Sequence, residues 1–65
     1  MNPDAWGKSL ADAQASVEDA RDALRAARDA RASVVAAAHR EGVTIYAIAK
    51  RLGVTQNAVR RMLGL

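Results

Sequence analysis

The sequence predicts an all-α chain in which a long N-terminal helix runs into a small C-terminal unit of two short helices. From Asp4 to Glu41 it contains no proline and a single glycine, Gly7. Apolar residues in this stretch recur at alternating spacings of three and four, the repeat of a coiled coil. The following segment, residues 45–63, carries two short apolar stripes separated by a turn glycine.

The long helix is expected to begin after Asn2, a good capping residue, with Pro3 at its first position. At about 1.5 Å per residue it would extend for about 50 Å. Small residues flank its apolar seam, so a partner helix could approach closely. We therefore expect residues 1–32 to form a coiled-coil oligomerisation helix. The expected dimerisation residues are Trp6, Leu10, Ala13, Val17, Ala20, Leu24 and Ala27.

The sequence leaves the geometry of this assembly open. Arg31 interrupts the seam, and it either marks where two chains part or sets their register at some cost in stability. Alanines at the close positions favour an antiparallel pair over a parallel one. Alanine-rich seams specify stoichiometry poorly, so we expect a homodimer and leave a higher oligomer open. A single exposed helix of high intrinsic propensity is the alternative to self-association. Packing of the helix back on its own C-terminal unit is disfavoured, because so small a unit cannot bury so long a seam.

The C-terminal unit is predicted to be a headpiece over residues 33–65, with residues 34–38 of the long helix as its first helix. Thr44 can cap the next helix, and Gly53 can end it in a left-handed conformation. Thr55 can cap the last helix, and Val54 lies in the turn between the two. The expected inward-facing residues are Ile45, Ile48, Ala49 and Leu52 on the first of these helices and Val59, Met62 and Leu63 on the second.

This segment resembles the helix-turn-helix of bacterial and phage DNA-binding proteins. Ala49 is the small residue where the helices cross, Gly53 is the turn glycine, and the run LGVTQNAVRRML is similar to the LGVS-type turn of small repressors and recombinase domains. The resemblance covers about the last third of the chain; the N-terminal helix matches no family. It implies that the partner is double-stranded DNA and that the last helix lies in the major groove.

The resemblance also implies which residues contact DNA. The base-reading set is Thr55, Gln56, Asn57, Arg60 and Arg61, whose side chains can pair with base edges. The phosphate-contacting set is Thr44, Tyr46, Lys50 and Arg51. For Tyr46 two roles stay open, since its ring could simply cover helix ends or its hydroxyl could reach a phosphate.

The charge distribution favours the same end of the chain. Residues 1–38 carry five basic and six acidic side chains, a net charge of −1, whereas residues 39–65 carry five basic and one acidic side chain, a net charge of +4. A local basic excess steers a protein toward DNA and makes affinity fall with salt.

Other classes of protein are disfavoured. The chain has no cysteine, no apolar run long enough for a membrane span, and no glycine loop or nucleophile with a base in reach. Its single histidine, His39, is expected at the surface or near a helix end and cannot build a metal site alone. We expect a cytoplasmic protein without enzymatic activity, cofactor, metal, membrane contact or small-molecule effector.

The predicted function is that of a sequence-specific DNA-binding protein, most simply a dimeric transcriptional repressor or regulator of phage or plasmid type. Three alternatives use the same features. An architectural or DNA-segregation protein would show weak sequence preference, and a recombination accessory factor would bind at recombination sites. A protein–protein interaction module would keep its partner after loss of Arg60 and Arg61.

Overall fold

The computed structural model describes residues 3–65, with side chains from residue 5 onward, and contains three helices. These are α1 (Pro3–Arg40), α2 (Ile45–Leu52) and α3 (Gln56–Met62). The predicted all-α fold, a long N-terminal helix followed by short helices, is confirmed. Asn2, the expected cap of α1, lies outside the described residues.

The molecule is a rod with its two short helices beside one end. Its principal extents are 61 × 18 × 18 Å. A helix of the length of α1, 38 residues, spans about 57 Å by itself. Since this is nearly the full length of the molecule, α2 and α3 lie alongside the last turns of α1 rather than beyond them.

A tight loop returns the chain from α1 to α2. Gly42 adopts φ = 97°, and its N–H donates to the carbonyl of His39 at 3.1 Å. The N–H of Val43 donates to the carbonyl of Ala38 at 3.0 Å. His39 Nδ1 lies 3.4 Å from the Val43 carbonyl oxygen, so the histidine has the surface, helix-end position predicted for it.

The headpiece core takes residues from all three helices. Among the described side chains, the buried apolar ones are Val35 of α1, Ile48 and Ala49 of α2, and Val59 of α3, which is fully buried. The partly buried residues packed around them are Ala38, Ile45, Val54, Met62 and Leu63. The predicted domain boundary at residues 32/33 falls inside α1, which continues through it as one helix.

One detail of the predicted core is wrong. Leu52, expected on the inner face of α2, is 40% exposed because it is the last residue of the helix and the chain turns away at Gly53. In the last turns of α1, Val35 enters the core with 3% exposure, while Val34 remains 69% exposed. Neighbouring residues on a helix point about 100° apart, so only one of the two valines can face α2 and α3.

The N-terminal part of α1 stands free of the headpiece. Every described side chain from residue 5 to residue 31 is exposed. Among them are four large apolar side chains of the predicted seam, Trp6, Leu10, Val17 and Leu24. The seam is therefore open along its whole length. Within the described part of the chain, no helix combines the length and apolar character that crossing a membrane requires.

Candidate nucleic-acid interface

The start of α2 is fixed by a side-chain cap. Thr44 has extended backbone (φ = −72°, ψ = 154°), and its Oγ1 accepts the N–H of Ala47 at 3.1 Å. This satisfies one of the amides that the first turn of a helix leaves without a backbone partner. Because Oγ1 accepts that bond, the hydroxyl hydrogen of Thr44 is free to donate outward.

The turn between α2 and α3 depends on Gly53. This residue adopts φ = 70° and ψ = 32°, the left-handed region that L side chains rarely occupy. The Ala49 carbonyl accepts the N–H of Gly53 and, at 3.1 Å, that of Val54. A Cβ at Gly53 would meet no heavy atom within 4 Å, so the backbone conformation alone requires glycine. Ala49 itself is buried, and its small side chain lets the two helices approach.

The start of α3 repeats the capping scheme of α2. Thr55 has extended backbone, and its Oγ1 accepts the N–H of Ala58 at 3.1 Å. Val59 anchors the helix in the core, with Met62 and Leu63 packed beside it. With these residues turned inward, the opposite face of α3 is presented to solvent.

The solvent face of α3 carries the residues predicted to read bases. Thr55, Gln56, Asn57, Arg60 and Arg61 are all exposed. Asn57, Arg60 and Arg61 also line a shallow groove together with Leu65. The structure therefore groups three of the five on one continuous surface, as expected for side chains at spacings of three and four on a helix.

One contact on this face was not predicted from the sequence. Arg60 Nη1 donates a hydrogen bond to Asn57 Oδ1 at 3.1 Å. It holds the guanidinium across the face of α3 and leaves the Asn57 amide nitrogen with its two donor hydrogens. The sequence does carry a signal for this contact, because Asn57 and Arg60 are three residues apart and such pairs are neighbours on a helix.

The residues predicted to contact phosphate lie on the outer side of α2. Tyr46, Lys50 and Arg51 are exposed and, with Ala47, line a second shallow groove. Lys50 Nζ lies 5.9 Å from the centroid of the Tyr46 ring, within the range of a cation–π contact. Tyr46 is 61% exposed, and its ring supports Lys50 at the surface.

The basic side chains in the last turns of both short helices also have a structural explanation. Lys50 and Arg51 lie in the last turn of α2, and Arg60 and Arg61 in the last turn of α3, where cations interact favourably with the helix dipole. Selection for the dipole alone would also place acids in the first turns. Neither α2 nor α3 has one. The headpiece surface is thus basic beyond what helix stability requires.

Comparisons with protein-family models, with curated proteins and with solved structures found no significant match. The functional interpretation therefore depends on the residues and geometry of the headpiece. These place a basic, hydrogen-bonding face on a short, firmly capped helix, with a second set of cations and a tyrosine on the helix before it.

Proposed function

We propose that this chain is a sequence-specific DNA-binding protein in which α2 and α3 form a helix-turn-helix and α3 enters the major groove. The observation that supports this most directly is the division of α3 into two faces. Val59 is fully buried, whereas Gln56, Asn57, Arg60 and Arg61 face solvent. A reading helix needs this division, because its inner face must hold it in place while its outer face meets base edges.

The chemistry of the outer face fits base recognition. Arginine pairs bidentately with guanine, and glutamine and asparagine pair with adenine. Because Arg60 is hydrogen-bonded to Asn57, the two side chains reach the groove as a linked pair and read adjacent bases. Lys50 and Arg51, with the hydroxyls of Thr44 and Tyr46, contact phosphates and fix the register of the headpiece on the duplex.

The biological role that we propose is transcriptional regulation by occupancy of an operator, in the cytoplasm, by a homodimer joined through α1. One short reading helix offers a small interface, so pairing two headpieces raises affinity through effective concentration. The open seam of Trp6, Leu10, Val17 and Leu24 supports this pairing.

The test is selection of random duplex DNA by the purified protein at physiological salt, followed by sequencing. We expect an enriched inverted repeat. Arg60→Ala should weaken binding to the recovered site about 10- to 100-fold, the effect of losing one bidentate base contact. Arg25→Ala, which removes the same charge from the exposed side of α1, is the matched control and should change affinity little.

A second candidate function is architectural, and the rod supports it. Each molecule is 61 Å long and carries its headpiece at one end. Two rods paired in antiparallel orientation would carry a headpiece at each end and could hold two DNA segments apart. Such a protein would give no enriched motif, and Arg60→Ala and Lys50→Ala would weaken binding to all sequences equally. That result would contradict sequence-specific regulation.

A further inference from the structure

The headpiece and the open seam lie on the same side of α1. Val17 and Val35 are separated by 18 residues, which is five turns of an α-helix, so they point in the same direction. Leu24 is 11 residues from Val35 and differs in direction by only about 20°. Val35 is buried under α2 and α3, whereas Val17 and Leu24 are exposed. The side of α1 that carries the seam is therefore occupied by the headpiece from about residue 32 onward.

This arrangement restricts how a second helix can use the seam. In a parallel, in-register pair, both headpieces would have to occupy the same space between the two helices. In an antiparallel pair, the second helix follows the seam, and its N-terminal turn meets only the edge of the headpiece. We infer that α1 binds a second copy of this chain in antiparallel orientation, with the two-fold axis between Glu18 and Asp19. The inference specifies the self-association included in the proposed function and does not depend on DNA binding.

The register follows from the heptad spacing. The seam consists of two rows, one containing Leu10, Val17 and Leu24 and the other Ala13, Ala20 and Ala27. In an antiparallel pair, the spacings of the two helices match only when each row faces the other row of the second copy. Possible registers therefore differ in steps of seven residues. Relative to the inferred register, a shift of seven residues toward the C-terminus sets Trp6 of the second copy against Ala38, which packs in the headpiece core, so this register is blocked. A shift of seven residues toward the N-terminus sets Trp6 against Leu24 and leaves Arg31 without a counterpart.

The inferred register places a small residue opposite each large aliphatic one. Leu10 faces Ala27, Val17 faces Ala20, and Leu24 faces Ala13. Alternation of large and small side chains across facing positions fills the space between two helices without voids. Positions that flank the seam meet two residues out of step with the seam pairs. There Gln14 lies across from Arg21 and Gly7 from Arg28, so this register opposes no like charges beside the seam.

The same register accounts for the arginine that interrupts the seam. Arg31 faces Trp6 of the second copy, and a guanidinium over an indole ring is a favourable cation–π pair.

One turn earlier, Leu24, Ala27, Arg28 and Arg31 line a shallow groove on α1. Their spacing of three, four and seven residues is that of the hole that receives one side chain in knobs-into-holes packing. Leu10 of the second copy fills this groove; in the single chain it is 67% exposed.

Cysteine cross-linking tests the orientation and register directly, because the chain contains no cysteine. One preparation carries Leu10→Cys and another carries Ala27→Cys, and the two are mixed and mildly oxidised without DNA. Both positions are exposed in the single chain, so neither change disturbs the headpiece core. A disulfide requires Cα atoms about 4.4–6.8 Å apart. We expect the covalent heterodimer as the main product and little disulfide in either preparation alone.

The control pairs Leu10→Cys with Ala15→Cys, which lies on the opposite side of α1 and should not cross-link. Disulfides within either single preparation would indicate parallel helices and overturn the inference. Cross-linking of Leu10→Cys with Ala20→Cys instead of Ala27→Cys would overturn the register. A monomeric mass of the unmodified chain in sedimentation would overturn the self-association itself. Since no DNA is present, each outcome is independent of whether the headpiece binds DNA.

Discussion

Replacing Val35 by alanine is expected to destabilise the headpiece, whereas the same change at Val34 should not. The two residues are adjacent in α1, but Val35 is 3% exposed and Val34 is 69% exposed. The change removes two methylene equivalents, worth about 1.6 kcal/mol when buried, and the cavity left behind adds to this cost. Alanine regains up to about 0.5 kcal/mol of helix propensity at either site. The two variants should therefore differ by about 2 kcal/mol.

This difference is large for so small a unit. At about 0.05–0.15 kcal/mol per residue, a headpiece of this size has only about 2–5 kcal/mol of stability. Val35→Ala should thus leave an appreciable fraction of headpieces open, whereas Val34→Ala should be neutral or slightly stabilising.

Hydrogen exchange of headpiece amides measures this opening locally, without interference from the long helix. Suitable reporters are the N–H groups of Ile48 and Leu63, which donate to the carbonyls of Thr44 and Val59 at 3.0 Å. A difference of 2 kcal/mol corresponds to about 30-fold faster exchange in Val35→Ala than in Val34→Ala. Equal exchange in the two variants, or faster exchange in Val34→Ala, would refute the assignment of the core.

Four further predictions concern a cap, the turn and two DNA-facing residues. Thr55→Ala removes the acceptor of the Ala58 amide and should cost about 1 kcal/mol in urea unfolding, with Thr55→Ser restoring most of it. Gly53→Ala should cost about 1–2 kcal/mol, all from the left-handed backbone, and Gly53→Asn less; equal loss in both would contradict this cause. Lys50→Ala should reduce the slope of log affinity against log salt by about 0.9 without changing the selected sequence. Asn57→Ala should instead relax the selected sequence at one or two positions, and an unchanged motif would exclude it from base reading.

Much of the fold could be predicted because its local signals agree. Thr44, Gly53 and Thr55 are the preferred residue types at a helix start, a left-handed helix end and a second helix start, and each is found in that role. Their chemistry acts within a few residues of the chain. A sequence pattern of that range is therefore sufficient to locate the elements.

The choice between Val34 and Val35 could not be made from the heptad pattern. A strict seven-residue repeat drifts about 20° per heptad on a straight α-helix. Counting heptads from Trp6 keeps Val34 in the seam, whereas on the actual helix Val35 has the direction of Val17 and Leu24. Which valine enters the core depends on where α2 and α3 pack, and that is a tertiary property.

For the candidate interface, the sequence predicted which residues are exposed but not how they interact. All nine predicted contact residues lie at the surface. The hydrogen bond between Arg60 and Asn57 depends on rotamers of two long polar side chains, which sequence spacing permits but does not specify.

The uninterrupted passage of α1 into the headpiece constrains how this chain can vary in length. No hinge separates Leu24 from Val35, so one residue inserted between them would swing the headpiece about 100° around the rod. Insertions of 7, 11 or 18 residues would return it to within about 20° of its original direction while moving it farther along the axis. Only insertions or deletions that match the helical repeat therefore keep the headpiece on the side of α1 that carries the seam.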